Sequence, residues 1–298
     1  MKHPFRFFIC TGLILSSTTL FADPWKMRLD LGGLYGSYSN SELRDSVIGA
    51  DLFFAADYFD QYGFTLGQNH SVVTATRLSQ DISQQGWFAS GRQHFYPTSL
   101  PGIVTARLDG YLTNSETTFS ATTLQQQVQT LMPSIQFADY TGRYLLDLGF
   151  AYSSYENGLS VSQWTPTLAW EMNHKADWLQ VRGYLLDYSD SSTAQGRSSA
   201  QAVELKWSHW FHSAKGLLPD RVQLNKVFGE RLYSVDPDVA AVYTLTDTDR
   251  GPLSLSALWY VGTQWQVLLA AGVQNSTNNE INNAYRNNYL YTDLAYVW

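Results

Sequence analysis

The sequence has almost no cysteine, few charged residues and fewer basic than acidic ones. Its single cysteine, Cys10, stands near the start of the 298-residue chain, so the chain can build neither a disulfide framework nor a cysteine-based metal site. Charged residues make up only 15% of the chain, and 19 basic residues against 26 acidic ones give a net charge of −7. Nucleic acid selects for basic surfaces, and we therefore expect no nucleic-acid partner.

Long hydrophobic runs are missing as well. Beyond the N-terminal region no segment approaches the roughly 18 to 20 consecutive apolar residues that a membrane-spanning helix needs. Glycine-rich nucleotide-binding loops and haem attachment motifs are also absent from the sequence. We therefore expect no helical membrane span, no cofactor and no metal.

The first 22 residues are typical of a secretory signal peptide. They begin with Lys2 and Arg6, continue with an apolar stretch to Leu15 and approach Ala22 through serine and threonine residues. The apolar stretch is too short for a membrane anchor, and Cys10 precedes most of it, which excludes a lipid attachment site. The sequence thus predicts a signal peptide over 1–22 with cleavage near Ala22, and a mature chain over 23–298.

What the sequence does have is aromatic residues, 15% of the chain, and a two-residue alternation of apolar and polar side chains. The alternation is clear in WKMRLDLGGLY (25–35), in YLLDLGFAY (144–152) and in AVELKW (202–207). A period of two over about ten residues is the mark of a β-strand with one apolar and one polar face.

A soluble β-sandwich also alternates, but three features favour a transmembrane β-barrel. The alternating stretches are close to the 9 to 11 residues that a tilted strand needs to cross a bilayer, whereas strands of soluble proteins average about 5 to 6. The polar face mixes small and charged residues, as a wet lumen would. Aromatic residues crowd the strand ends beside short turns, as in YFDQY (58–62), where a girdle at the membrane interface requires them.

The predicted fold class is all-β, a single antiparallel up-and-down transmembrane β-barrel over 23–298. The segment 220–247 is ambiguous and holds one span (RVQLNKVF or VAAVYTLTD) or two; one span gives fourteen strands, with twelve and sixteen as alternatives. Tight turns such as DQYG alternate with longer polar loops such as TNSETTFSAT and NSTNNEINNAYRN, an asymmetry typical of such barrels. The other spans are expected near 25–36, 47–58, 62–75, 86–95, 103–113, 123–137, 143–155, 159–172, 177–188, 200–211, 252–261, 265–274 and 287–298.

The last ten residues, YLYTDLAYVW, alternate and end on an aromatic residue. They resemble the C-terminal signal of Gram-negative outer-membrane β-barrel proteins, although Trp298 stands where phenylalanine is more usual. Leu294, Tyr296 and Trp298 hold the lipid-facing positions of this assembly signal. The resemblance implies an outer-membrane location, recognition by the outer-membrane assembly machinery and closure of the last strand against the first, with Asp293 near Arg28 or Lys26.

The polar face of the strands carries the residues that we expect to line a pore. Both signs of charge are present, whereas a strongly selective ion pore would show rings of one sign; the alternative is a ladder of ion pairs that fills the barrel. The expected pore-lining residues are Lys26, Arg28, Asp30, Asp51, Arg92, Arg107, Asp109, Asp147, Glu171, Arg182, Glu204, Lys206 and Asp293.

The sequence favours a monomeric, porin-like channel for passive diffusion of small polar solutes, surrounded by outer-membrane lipids and lipopolysaccharide. One alternative is an export conduit or assembly partner for a surface polymer such as a polysaccharide. A second is a lipid- or peptide-hydrolase, although the close pair His70 and Ser71 would point to opposite faces of a strand. The Asp-x-Asp pairs Asp236/Asp238 and Asp247/Asp249 are predicted to form turns rather than to bind metal.

Overall fold

The computed structural model describes residues 25–75, 81–119, 122–211, 217–243, 247–279 and 281–298. The predicted signal peptide over 1–22 lies outside these ranges. The described part of the chain contains no helix with the length and apolar character needed to cross a membrane. The described residues form strands and turns, so the chain is all-β.

Fourteen long antiparallel strands close into one barrel. Each pairs with its neighbours in chain order, and the last strand pairs with the first, which confirms the predicted fold and strand number. Three short strands, β12 (Val235–Asp236), β13 (Ala241–Val242) and β14 (Asp247–Asp249), follow the eleventh long strand. The long strands are β1 (Trp25–Ser39), β2 (Ser46–Tyr58), β3 (Tyr62–Thr74), β4 (Ile82–Phe95), β5 (Gly102–Phe119), β6 (Thr122–Asp139), β7 (Tyr144–Tyr155), β8 (Ser160–Met172), β9 (Asp177–Tyr188), β10 (Ser199–Trp210), β11 (Arg221–Gly229), β15 (Leu253–Val261), β16 (Trp265–Asn278) and β17 (Asn283–Val297).

The outer wall of the barrel is apolar because alternate residues of every strand face outward. On β7, for example, Leu146 and Leu148 are exposed, whereas the intervening positions face the interior and Ala151 and Ser153 are buried. Large exposed apolar residues recur around the wall, a surface that is favourable against lipid and costly in water. The single span predicted within 220–247 is β11, which corresponds to RVQLNKVF.

The two ends of the barrel differ. One end carries both termini of the described chain and short turns such as 59–61 and 262–264, and we call it the turn end. At the opposite end, the loop end, two predicted long loops prove to be mostly strand. TNSETTFSAT largely belongs to β5, and NSTNNEINNAYRN is divided between β16, which ends at Asn278, and β17, which begins at Asn283. The alternation of apolar residues marks only the part of a strand that faces lipid, whereas backbone pairing continues beyond it.

The barrel closes between β1 and β17, as the terminal stretch predicted. Leu29 pairs with Tyr296 and Leu31 with Leu294. The backbone of Trp298 exchanges two hydrogen bonds with Met27, at 2.9 and 3.1 Å. The pairing leaves no open sheet edge, which a lipid-facing wall cannot tolerate. The indole of Trp298 lies 5.5 Å from the ring of Tyr296 and 6.3 Å from that of Phe54.

Replacing Trp298 with Ala is expected to lower the yield of folded barrel in lipid vesicles. The change removes two ring contacts at the closing seam, each worth about 0.5–1.5 kcal/mol. The folded fraction can be measured by the heat-dependent mobility shift on SDS gels. Trp87, a lipid-facing residue in the middle of β4, provides the control, and an equal loss of yield in Trp87→Ala would contradict a special role for the seam.

Candidate functional site in the barrel lumen

The described residues between β11 and β15, 230–243 and 247–250, are here called the inner segment. Its strands β12 and β13 leave the wall and enter the barrel, whereas β14 pairs with the end of β16 in the wall. The side chain of Gln84 on β4 donates a hydrogen bond of 3.3 Å to the backbone carbonyl of Val242 in this segment. In a closed ring of fourteen strands, β4 is seven strands from β11 in either direction. The inner segment therefore crosses the full width of the lumen.

Side chains of the wall hold the backbone of the inner segment. The hydroxyl of Tyr188 donates to the carbonyl of Leu232 at 2.9 Å. Gln163 both donates to the carbonyl of Val235, at 2.8 Å, and accepts from its amide, at 2.9 Å. Because β12 and β13 pair only with each other over two residues, these wall contacts supply partners that a sheet would otherwise provide.

Apolar burial adds to these hydrogen bonds. Leu232, Tyr233 and Val235 of the inner segment are each 1% exposed and belong to the apolar cluster that fills the loop-end half of the lumen. The ring of Tyr233 lies 5.0 Å from that of Tyr155 on β7. Inside the segment, the guanidinium of Arg231 binds Asp249 at 2.8 Å. The core of this protein therefore lies inside the barrel, and the inner segment completes it.

One charged residue of the inner segment binds two cations of the wall. The Nη1 and Nη2 atoms of Arg182 donate to the two carboxylate oxygens of Asp238 at 2.8 and 3.0 Å. The ammonium of Lys206 donates to the same carboxylate. The side chain of Arg182 is only 8% exposed, whereas that of Asp238 is 37% exposed. We call Asp238, Arg182 and Lys206 the latch.

The latch keeps Asp238 ionised. Burial alone would raise the pKa of Asp238, but the charges of Arg182 and Lys206 outweigh it and hold the pKa well below its ordinary value. A carboxylate with a lowered pKa stabilises the folded state fully above the unfolded pKa of about 3.9. This contribution is lost only as the pH falls through the lowered value. The latch therefore stays formed in mild acid.

Arg182 stands in a row of polar residues across four neighbouring strands. Asp147 on β7 pairs with Thr167 on β8, which pairs with Arg182 on β9, which pairs with Glu204 on β10. Thr167 accepts a hydrogen bond of 3.1 Å from Arg182 Nε, and Glu204 lies 3.4 Å from Arg182 Nη1. Glu204 is also 3.8 Å from the Lys206 ammonium. The strand register thus brings four of the predicted pore-lining residues together, Asp147, Arg182, Glu204 and Lys206.

A second group of predicted residues forms ion pairs that do not involve the inner segment. Arg107 binds its neighbour Asp109 at 2.6 Å, and Arg28 binds Asp30, with 2.8 Å between Arg28 Nε and a carboxylate oxygen. These are pairs within one strand, two residues apart, as the period of two allows. The side chains of Arg28 and Arg107 are 40% and 35% exposed. These two arginines are therefore more accessible to water than Arg182, which is 8% exposed. Arg92 binds Asp57 of β2.

The expected contact between Asp293 and Arg28 is not the one that forms. Arg28 instead binds Asp30 and donates to the side chain of Gln266 at 2.7 Å. Asp293 pairs with Gly32, and so does Asp51 from the other side; Asp51 accepts a hydrogen bond of 3.2 Å from Tyr291. Asp293 does lie near enough to Arg28 for their charges to interact, as predicted, but the ion pair of Arg28 forms with Asp30. The alternation assigns a residue to a face of the strand, whereas the seam register decides its height. Lys26 pairs with Asp57, and Glu171 with Trp178.

The inner segment is the functional element that the sequence did not reveal. Asp236 does form the predicted turn, since its carboxylate accepts from the amide of Asp238 at 3.1 Å. Asp238 itself, however, binds the wall, and Asp247 binds Arg44 and accepts 2.8 Å from Tyr285. One feature of the sequence could have indicated this element: acidic residues accumulate in the one stretch without clear alternation.

Two of the histidines have ordinary polar partners. His209 Nδ1 lies 2.8 Å from a carboxylate oxygen of Asp177, and His94 Nδ1 lies 2.8 Å from the hydroxyl of Thr105. His70 and the adjacent Ser71 lie on opposite faces of β3. Across the described ranges, no three His, Asp or Glu side chains converge as metal ligands would.

A groove of about 890 Å³ lies on the outer wall rather than in the lumen. It is lined by apolar side chains, among them Leu148, Pro166 and Val203, and Gly183 at its centre adds no side chain. Pro166 lies where the hydrogen-bond ladder between β8 and β9 is interrupted, since proline has no amide hydrogen. The groove faces lipid, and the charged groups of the protein converge elsewhere.

Comparisons with known proteins concern the fold. No protein-family model and no curated protein matches the sequence. The structure is similar to the toluene transporter TodX of Pseudomonas putida, with a TM-score of 0.55 and 8% identity over 92% of this chain and 89% of that one. It is also similar to the TodX deltaS2S3 mutant, a monoaromatic hydrocarbon channel, with a TM-score of 0.53 and 9% identity over 92% and 90%. What the structures share is the fold, a closed antiparallel β-barrel.

Proposed function

We propose that the protein is a gated channel of the Gram-negative outer membrane that passes small polar solutes, and that the inner segment is its gate. The observation that carries the proposal is the latch, which ties a segment that crosses the lumen to two cations of the wall. The turn end would face the periplasm, since short turns face that side in such barrels. The protein would act as a monomer.

Three properties of the inner segment favour a gate over a segment that fills the lumen permanently. The first is that an ion pair ties the segment to the wall, whereas apolar side chains would serve a permanent filling best, because replacing buried ion pairs with apolar residues is often neutral or stabilising. The Asp238 side chain is 37% exposed inside the lumen, so water can reach and compete for the latch. Strands β12 and β13 pair only with each other, so moving them would not break the wall. The descriptions of TodX as a transporter and as a channel agree with this proposal.

Replacing Asp238 with Asn is expected to raise the open probability of single channels about 10- to 30-fold. Asparagine keeps the shape but loses the charge, and a hydrogen bond to a charged group contributes about 1.5–3 kcal/mol. Because Asp238 is partly exposed, the lower part of that range applies, and 1.4 kcal/mol corresponds to about tenfold. Planar-bilayer recording on refolded protein measures the change.

The matched control for this experiment is Asp236→Asn. Asp236 belongs to the same turn but lies 3.6 Å from Arg231 of the inner segment itself and not against the wall cations. It should alter the open probability much less. Equal open probabilities in the wild type and in Asp238→Asn would contradict the assignment of Asp238 as the latch residue.

A further inference from the structure

The partners of Asp238 define a site whose chemistry goes beyond closing a gate. Arg182 presents two parallel N–H donors to the two oxygens of one carboxylate, at 2.8 and 3.0 Å, and Lys206 adds a third cationic donor. A guanidinium in this forked geometry binds two oxygens of one anion, either a carboxylate or a phosphate, and the occupant that the structure shows is a carboxylate. A carboxylate on any small molecule could therefore be bound by the same donors of Arg182 and Lys206.

The wall holds this site in place without Asp238. Thr167 accepts from Arg182 Nε at 3.1 Å and fixes the plane of the guanidinium. Glu204, whose side chain is 2% exposed, lies 3.4 Å from Arg182 and 3.8 Å from Lys206. Once Asp238 has moved away, Glu204 and Asp147 still balance the charge of the two cations, but the forked N–H donors of Arg182 and the Lys206 ammonium lose the carboxylate that they bind. Arg182 itself is 8% exposed, and buried donors without a partner are costly, so the vacated site would favour an anion with two acceptor oxygens.

We infer that Arg182 and Lys206 form a binding site for small carboxylate-bearing solutes, which Asp238 occupies while the inner segment crosses the lumen. A solute carboxylate that takes the place of Asp238 would release the segment, so that the transported class of solute would also open the channel. The binding site stands on its own geometry, whereas the opening step rests on the proposed channel function. Asp238 is accessible enough for exchange, since it is 37% exposed to the lumen.

The competition is unequal, which sets the concentrations that are needed. Asp238 is attached to the chain and has an effective concentration in the millimolar range or above. A free carboxylate must therefore exceed millimolar levels to displace it from the wild type. Removing the Asp238 carboxylate should reveal much tighter binding of the same solute, because no internal competitor is left.

The first experiment measures acetate binding to Asp238→Ala in detergent by isothermal titration and by the acetate-dependent rise in melting temperature. Acetate is expected to bind Asp238→Ala at least ~10-fold more tightly than it binds the wild type or the double variant Asp238→Ala/Arg182→Gln, consistent with the strength of charged hydrogen bonds. Acetamide, which has the same shape without the charge, should have no effect.

Asp238→Ala/Arg107→Gln is the matched control, since Arg107 is a second lumen arginine that binds Asp109 and should not matter here. Equal effects of acetate and acetamide, or acetate binding that survives Arg182→Gln, would overturn the site. The circular dichroism spectrum and the heat-dependent gel shift of each variant show whether it has folded, and Arg182→Lys offers a milder change that keeps the charge but loses the fork.

The second experiment tests the exchange directly. The chain's only cysteine is Cys10, so a single cysteine introduced at Val239, whose side chain is 60% exposed beside the latch, can carry a spin label in mature protein. Acetate should raise the mobility of the label, and acetamide should not. If acetate does not change the mobility of the label, acetate does not displace Asp238 and the proposed competition is refuted. Acetate binding without any conductance in bilayers would preserve the site and refute the channel, whereas conductance without acetate binding would do the reverse.

Discussion

Channels in which residues 231–249 are replaced by a short glycine–serine linker are expected to conduct almost continuously. The replacement removes every contact by which the inner segment crosses the lumen, including those of Asp238 and Val242. It leaves β11 and β15 paired over residues 221–226 and 253–258, so the ring of fourteen long strands stays closed, although residues 276–278 at the end of β16 lose their pairing with β14. Loss of the latch alone changes the open probability by a factor of tens, whereas loss of the whole segment removes the closed state.

Planar-bilayer recording and the uptake of small sugars into vesicles measure this effect. Residues 76–80, which stand between β3 and β4 in the sequence, provide a control replacement of the same kind. That variant should conduct like the wild type. If the linker variant folds, as its heat-dependent gel shift would show, and yet passes neither ions nor sugars, the proposed channel function fails.

Arginine at Ala151 is expected to destabilise the barrel more than arginine at Leu148. The two-residue alternation of the strand alone predicts the reverse, because Leu148 faces lipid and Ala151 faces the lumen. Arginine at a lipid-facing position near the middle of the membrane costs about 2–4 kcal/mol. Ala151, however, is 0% exposed and belongs to the apolar cluster that the inner segment completes. An arginine side chain there must displace its neighbours, which costs about 1–3 kcal/mol. It must also bury an unpaired charge, which costs several kcal/mol more.

Urea unfolding of barrels refolded in lipid vesicles gives both free energies of unfolding. Ser90→Arg is the control for a wet position, since Ser90 lies on the lumen side of β4 directly opposite Asp109; its cost should stay below that of either other variant. Ala151→Arg proving milder than Leu148→Arg would mean that the inner segment does not fill this part of the lumen.

The alternation of the sequence was sufficient to place the wall. All fourteen spans, the single span in the ambiguous 220–247 and the closing seam between WKMRLDLGG and YLYTDLAYVW were predictable. These features are local, because a strand with one lipid-facing side must repeat every two residues and must be long enough to cross the bilayer. The length of β5 beyond the bilayer was not predictable, since polar residues outside lipid carry no such constraint.

Partners inside the lumen could not be read in the same way. The two-residue alternation shows which side of the wall a side chain faces. The ion-pair partner of Arg28, however, depends on the register across the seam, and that partner is Asp30 rather than Asp293. Asp238 lies 56 residues from Arg182 in sequence, and nothing in the pattern around either residue identifies the other. Such pairs arise only when the closed barrel brings distant strands to the same height.

The sequence by itself therefore determined a transmembrane β-barrel and which side chains turn inward, because the period of a strand and the thickness of a membrane act on consecutive residues. It favoured fourteen strands and left twelve and sixteen as alternatives. Only the tertiary structure decided that fourteen strands close the barrel, that β12 and β13 fold into the lumen and that Asp238 closes on Arg182 and Lys206. A segment without alternation has no preferred side of its own. Its place is decided by the apolar cavity and the cations that the finished barrel offers it.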